Sequence, residues 1–246
     1  MEKCMTERID GRETNQLRKV SVTKNFTKMA ESSVLFEIGN TRVICTATII
    51  EDKVPSHCKA DNKGWITAEY SMLPRATRER TQREAIRGKQ SGRTQEIQRL
   101  IGRVLRGVTD LGKLGERTII IDCDVIEADG GTRVASITGG YIVLYEAINK
   151  LVAEGKLAEN PLSSFLAAIS VGIKDNTVLL DLCYEEDAAC DTDLNVVMTE
   201  TGHFIELQGT AEGTAFSHDE LNRMLNLAKS GIFDLLRLQK EVLGLV

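Results

Sequence analysis

Proline is scarce in this chain, with three residues in 246. No glycine–serine stretch or low-complexity tract marks a linker, so the sequence reads as one domain over residues 1–246. Histidine is as rare: His57, His203 and His218 stand apart without metal-ligand spacing. The six cysteines are widely spaced and form no C-x-x-C pair, which predicts reduced thiols. No G-x-x-x-x-G-K-[ST] loop and no G-x-S-x-G elbow occurs, so a Walker-type phosphate site and a serine-hydrolase nucleophile are both excluded. No apolar run reaches the ~18 residues that a membrane helix needs. The first twelve residues are polar, of mixed charge and without a signal core, so the expected location is cytoplasmic and away from membranes.

Charge is present but unevenly placed. The formal net charge is −5, yet residues 75–106 hold ten basic and three acidic side chains, making that segment +7 and the remainder −12. A basic stripe on an acidic protein is a local electrostatic feature that suits a phosphate backbone. Trp65 and Tyr70 precede the stripe in an apparent strand, where core packing is the expected role.

Hydrophobic periodicity supplies the order of elements. Residues 20–26 alternate, and 33–38 and 42–49 flank Gly39-Asn40 as a hairpin. Residues 64–71 predict a strand ended by Pro74, and 75–92 show no clean apolar period. Helical spacing predicts a helix from Thr94, a strand over 117–126, and a second helix up to Gly155. Hairpins are predicted over 165–174 with 177–184, and over 195–198 with 203–208. Ser217 and Glu220 form a capping box that opens the last helix. The order predicts an α+β fold of mixed sheets and packed helices with a weak internal duplication.

Two stretches place glycine and arginine at helix starts. They are Ser91-Gly92-Arg93-Thr94 and Gly130-Gly131-Thr132-Arg133. Unpaired N–H groups at a helix N-terminus favour an anion, and guanidinium matches phosphate oxygens bidentately. The acidic counterpart is residues 185–193, where Asp187, Asp191 and Asp193 share one parity and would share a face of an extended chain. Clustered carboxylates repel unless a cation or proton is shared, so Mg²⁺ or a general acid is the expected use.

The blocks that carry these residues resemble bacterial ribonuclease PH, a family of phosphorolytic 3′-to-5′ exoribonucleases. They are Asp10-Gly11-Arg12, Gly64-Trp65-Ile66-Thr67-Ala68-Glu69-Tyr70, Met72-Leu73-Pro74-Arg75, residues 88–100, Asp122-Cys123-Asp124, residues 128–139, residues 187–196, and Gln208-Gly209-Thr210-Ala211-Glu212. The resemblance spans residues 8–240. Ser91 stands where many relatives have Gly, Asp191 where many have Glu, and residues 57–63 fit poorly.

The resemblance implies a ribonuclease PH-type fold and a homohexamer built as a trimer of dimers. It implies that Arg93, Gly131, Thr132 and Arg133 hold inorganic phosphate as co-substrate, and that Asp187 and Asp193 are the catalytic, Mg²⁺-associated pair. Arg75, Arg80 and Arg83 match the family's RNA-guiding loop. The substrates implied are tRNA precursors and other RNA 3′ ends. A non-catalytic RNA-binding ring subunit of an exosome-like complex is the alternative, and a hydrolytic nuclease a third class.

Overall fold

A computed structural model describes residues 8–246, and Cys4 lies outside the described residues. The strands Val20–Lys24 (β1), Ser32–Ile38 (β2) and Thr41–Glu51 (β3) form an antiparallel meander. In β3, Val43, Cys45 and Ala47 are fully buried while Arg42 faces solvent, the two-residue period of a sheet with one covered face.

A single turn, Ser56–Lys59 (α1), leads to the edge strand Trp65–Met72 (β4). The chain then carries only one further turn, Glu84–Arg87 (α2), before the helix Gly92–Arg106 (α3) and the turn Leu111–Leu114 (α4). Strand β5, Arg117–Glu127, returns parallel to β4 and antiparallel to β3. A parallel pair cannot be closed by a tight hairpin, so α3 is the crossover between its two strands and packs on β4. The first sheet runs β1-β2-β3-β5-β4.

Helix α3 begins two residues before Thr94. Ser91 in an extended conformation caps it, its hydroxyl accepting from the Thr94 N–H at 3.1 Å. Ile97, Leu100, Ile101, Val104 and Leu105 form its buried stripe.

The helix Thr132–Ala153 (α5) lies between two sheets, against β2, β3 and β5 on one side and Leu166–Lys174 (β6) on the other. It is therefore buried all round from Val134 to Leu144 and shows little amphipathic contrast. The second sheet is antiparallel, in the order β7-β6-β8-β9, and adds Thr177–Leu180 (β7), Thr192–Thr199 (β8) and Phe204–Ala211 (β9). Between β7 and β8 sits the single turn Tyr184–Asp187 (α6). The last helix, His218–Val242 (α7), opens on the Ser217–Glu220 capping box and covers β6, β7 and β8. Strand β6 is buried along almost its whole length because α5 and α7 both pack on it.

The hairpin around Asp175-Asn176 closes with both residues at positive φ, 48° and 62°. The strand expected over 177–184 stops at Leu180, because Asp181 turns to a φ of 55° and buries its carboxylate. One apolar cluster extends through both sheets and all three long helices. The architecture is α+β. Both halves lay a sheet on a helix, although the first contains a parallel pair and the second does not.

Candidate active site

The two glycine–arginine starts converge. Arg93 is the second residue of α3 and Arg133 the second residue of α5. Gly131 caps α5 at a φ of 68°, and no side chain makes a capping hydrogen bond there. A Cβ there would meet the Val134 side chain at 3.2 Å and the Arg18 guanidinium at 3.3 Å. The turn before α3 is organised by Glu84, which accepts from Ser91 N–H at 2.9 Å and from the Thr94 hydroxyl at 2.7 Å.

Arg133 is held from both halves of the fold. Its guanidinium bonds Gln208 of β9 and lies 3.4 Å from Glu96 of α3, while Gln208 in turn donates to Glu96 at 3.3 Å. The Arg93 side chain is exposed and makes no hydrogen bond or ion pair among the described residues. The buried Tyr70 hydroxyl donates to Thr132 Oγ1 at 2.9 Å. Burial pushes its phenol up, while the Thr132 bond and the charges of Arg93 and Arg133 pull it back. Tyr70 therefore stays protonated beneath the two cations.

Asp187 and Asp193 face this cationic pair. Asp187 ends α6 and Asp193 is the second residue of β8, paired with Gly172 and Thr210. Partial burial raises the Asp187 pKa, the Asp193 charge raises it further, and Arg93 and Arg133 oppose the shift. Asp193 is raised by burial and by Glu212, against the pull of Arg133. Each carboxylate thus gains from a nearby cation or proton. Among the described residues no cluster of three or more His, Cys, Asp or Glu is placed to hold a metal. Two carboxylates nevertheless suit Mg²⁺, which keeps several waters and binds through one or two carboxylates plus substrate phosphates.

The parity argument for Asp191 fails. Asp187 lies on a helical turn and not on an extended chain, so alternation does not relate it to Asp191 or Asp193. Asp191 is exposed and lines a separate groove of about 250 Å³ with Thr214, Phe216 and Glu220.

The basic stripe divides in two. Arg75, Arg80 and Arg83 lie in the largely irregular segment between β4 and α3, exposed, their side chains without hydrogen bonds or ion pairs among the described residues. Arg78 of the same segment pairs with Glu185 of α6, next to Asp187. Arg99, Arg103 and Arg106 line a different groove of about 330 Å³ beside Trp65. Trp65 is half-buried there and does not join the core, because β4 is an edge strand whose alternate residues face outward. The Arg106 guanidinium lies 4.2 Å from its ring centroid.

Tyr70, Gln208 and Glu212 all fall within sequence blocks that carry the resemblance, yet nothing in their spacing assigns them a place at the site. Glu96 has no sequence signal, since an acidic residue on an exposed helix face is ordinary.

Comparison with known proteins shows the family and the fold. The model of the 3′ exoribonuclease family, domain 1, matches residues 16–148, and that of domain 2 matches residues 164–231. The crystal structure of rice (Oryza sativa) Rrp46 superposes with a TM-score of 0.78 at 19% identity, over 96% of this chain and 100% of that one. A chain of the Archaeoglobus fulgidus exosome with RNA bound to the active site gives 0.78 at 23% identity, over 94% and 91%. A chain of an archaeal exosome core gives 0.73 at 22%, over 96% and 90%. Between them the two family models take in the nine strands of the described residues and the start of both long helices that open at the site, and the chain belongs to the 3′ exoribonuclease family, with the ribonuclease PH-type fold.

Proposed function

We propose that this chain is a phosphate-dependent 3′-to-5′ exoribonuclease of the bacterial ribonuclease PH type. Inorganic phosphate attacks the last phosphodiester of an RNA 3′ end, releasing a nucleoside diphosphate and RNA one nucleotide shorter. The observation that carries the reading is the meeting of Arg93 and Arg133, 40 positions apart in sequence, within electrostatic reach of Asp187.

Nucleophile and target are both anions, so the first task is to neutralise and aim them. Arg93, Arg133 and the uncapped start of α5 at Gly131 and Thr132 suit the attacking phosphate. Arg133 is pre-oriented by Gln208 and Glu96, so little reorganisation accompanies binding. Asp187 and Asp193 stand where charge develops on the leaving 3′-oxygen. Burial raises both pKa values, which is the direction a general acid for that oxygen requires. The same pair would hold Mg²⁺, which when bound supplies charge neutralisation at phosphate oxygens. The product keeps a phosphoanhydride, so excess nucleoside diphosphate drives RNA extension.

The unpaired Arg75, Arg80 and Arg83 suit the backbone of incoming RNA, such as the 3′ tail of a tRNA precursor. A homohexameric ring, assembled as a trimer of dimers in the cytoplasm, completes the reading. The second reading, a non-catalytic ring subunit of an exosome-like complex, draws on the likeness to exosome chains. One experiment separates the two. End-labelled RNA is incubated with Mg²⁺, with and without phosphate, and the released nucleotide is identified. Phosphate-dependent nucleoside diphosphate supports phosphorolysis, binding without release supports the ring subunit, and monophosphate without added phosphate indicates hydrolysis.

A further inference from the structure

We propose that Asp129, together with a buried network of Arg8, Arg12, Arg18, Asp181 and Glu186, is a positioning device that locks the carboxylate-bearing turn α6 onto the anion-binding turn before α5. The inference rests on the phosphorolytic reading of the site, but the mechanical coupling it describes is testable without it.

The two turns touch backbone to backbone. Gly130 has a φ of 77°, and a Cβ on it would lie 2.5 Å from Leu182 O and 2.8 Å from Tyr184 N. No L-residue with a side chain fits there without separating the turns. Asp129 bonds across the junction. Its Oδ1 accepts from the Tyr184 N–H at 3.2 Å, the first residue of α6, and its Oδ2 accepts from Asn40 at 3.1 Å.

Behind this contact three arginines share two buried acids, and Arg12 also pairs with Asp10 at 2.6 Å. Arg18 donates to the Asp129 carbonyl and to both carboxylate oxygens of Asp181, at 3.0 and 2.6 Å. Arg8 clamps Glu186 through Nε–Oε1 at 2.7 Å and Nη2–Oε2 at 2.5 Å. Glu186 also accepts from Cys183 N–H at 3.2 Å, which fixes the start of α6. Arg12 spans both acids, 3.6 Å from Asp181 and 3.5 Å from Glu186. Arg8, Arg18, Asp181 and Glu186 are all buried.

A buried ion-pair network adds little net stability over apolar packing, but once satisfied it admits one arrangement. Here that arrangement sets the separation between Arg133, three residues beyond Gly130, and Asp187, three residues beyond Tyr184. A misplacement of ~1 Å between reacting groups costs on the order of 100-fold in rate. None of these six residues needs to touch substrate to exert that control.

Asp129 is half-exposed, so its substitution leaves the buried pairs intact. Asp129→Ala removes both acceptors, and Asp129→Asn restores one for Tyr184. The test reads backbone hydrogen exchange over residues 182–188, and kcat and KM per folded molecule. In Asp129→Ala, exchange in α6 rises at least ~10-fold, kcat falls at least ~10-fold and the KM for RNA stays within ~2-fold, with Asp129→Asn recovering most of both changes. Wild-type exchange in α6 of Asp129→Ala overturns the coupling, whatever the protein catalyses. Faster exchange with an unchanged kcat overturns the positioning role. A wild-type protein that releases no nucleoside diphosphate refutes the phosphorolytic reading instead, while the exchange result still decides the coupling.

Discussion

Tyr70 and Thr132 share a hydrogen bond of 2.9 Å that joins the edge strand β4 to the first residue of α5. The bond fixes the end of the helix from which Arg133 projects. Tyr70→Phe removes one donor in a buried setting and should cost about 1 kcal/mol of stability. The KM for phosphate should rise a few-fold with kcat nearly kept. Urea unfolding and a phosphate titration measure the two effects, and an unchanged phosphate KM would detach Tyr70 from the anion site.

The two arginines differ in what else they hold. The Arg93 side chain is exposed and bonds nothing among the described residues, so Arg93→Ala should change stability by less than ~0.5 kcal/mol. Its kcat/KM for phosphate should fall at least ~100-fold, as when one preorganised charge donor is lost. Arg133→Ala should lose activity comparably and also destabilise, because Glu96 and Gln208 lose their partner. Retained activity in Arg93→Ala at sub-saturating phosphate would remove that residue from the site.

Asp187 and Asp193 both carry pKa values above the ordinary 3.8 of aspartate. Groups raised in this way favour folding fully below the unfolded value, and the contribution is lost as pH rises through the raised folded value. Ionisation of the pair therefore opposes folding. Asp187→Asn and Asp193→Asn should raise Tm at pH 7, with the gain shrinking as pH falls toward 3.8, while phosphorolysis is crippled. A lower Tm at pH 7 in both variants would assign the carboxylates a structural task.

Glu186 behaves in the opposite sense. Burial alone would raise it, but the Arg8 guanidinium outweighs burial and holds it below the ordinary 4.5. Its contribution to stability is present above that value and is lost as pH falls through the lowered one. Glu186→Gln leaves Arg8 buried without its counter-charge and should cost about 3–5 kcal/mol at pH 7, with the difference narrowing in acid. Denaturant midpoints at two pH values check this.

Replacing Arg75, Arg80 and Arg83 together should weaken RNA binding almost equally for all sequences. The slope of log affinity against log salt should flatten by up to about 2, at roughly 0.7 for each lost contact to single-stranded RNA. A slope equal to wild type would mean that these side chains stay in solvent when RNA binds.

Elements whose pattern is local were legible in the sequence. The α7 capping box, the Asp175-Asn176 hairpin and the α3 stripe each follow from a few neighbouring residues. The two anion-ready helix starts were legible for the same reason. What spacing hid was tertiary. Asp187 reaches Asp193 through a helical turn that no alternation reveals, and the same turn sends Asp191 to another groove. Trp65 looked like a core residue because its strand is apolar on alternate positions, but only a sheet order can show that β4 is an edge. The ties of Arg133 to Glu96 and Gln208 link residues 37 and 75 positions apart, which no local pattern encodes.

That placement of Trp65 has a further consequence. It is the only tryptophan in the chain, it is half-buried, and a guanidinium from α3 rests on its ring. Its strand also carries Tyr70 to Thr132, so the indole sits within one short element of the anion site. The protein thus contains a single indole, and its emission reports on the contact between β4 and α3. Selective excitation of that indole therefore follows the first sheet's edge, because no indole lies in the second sheet.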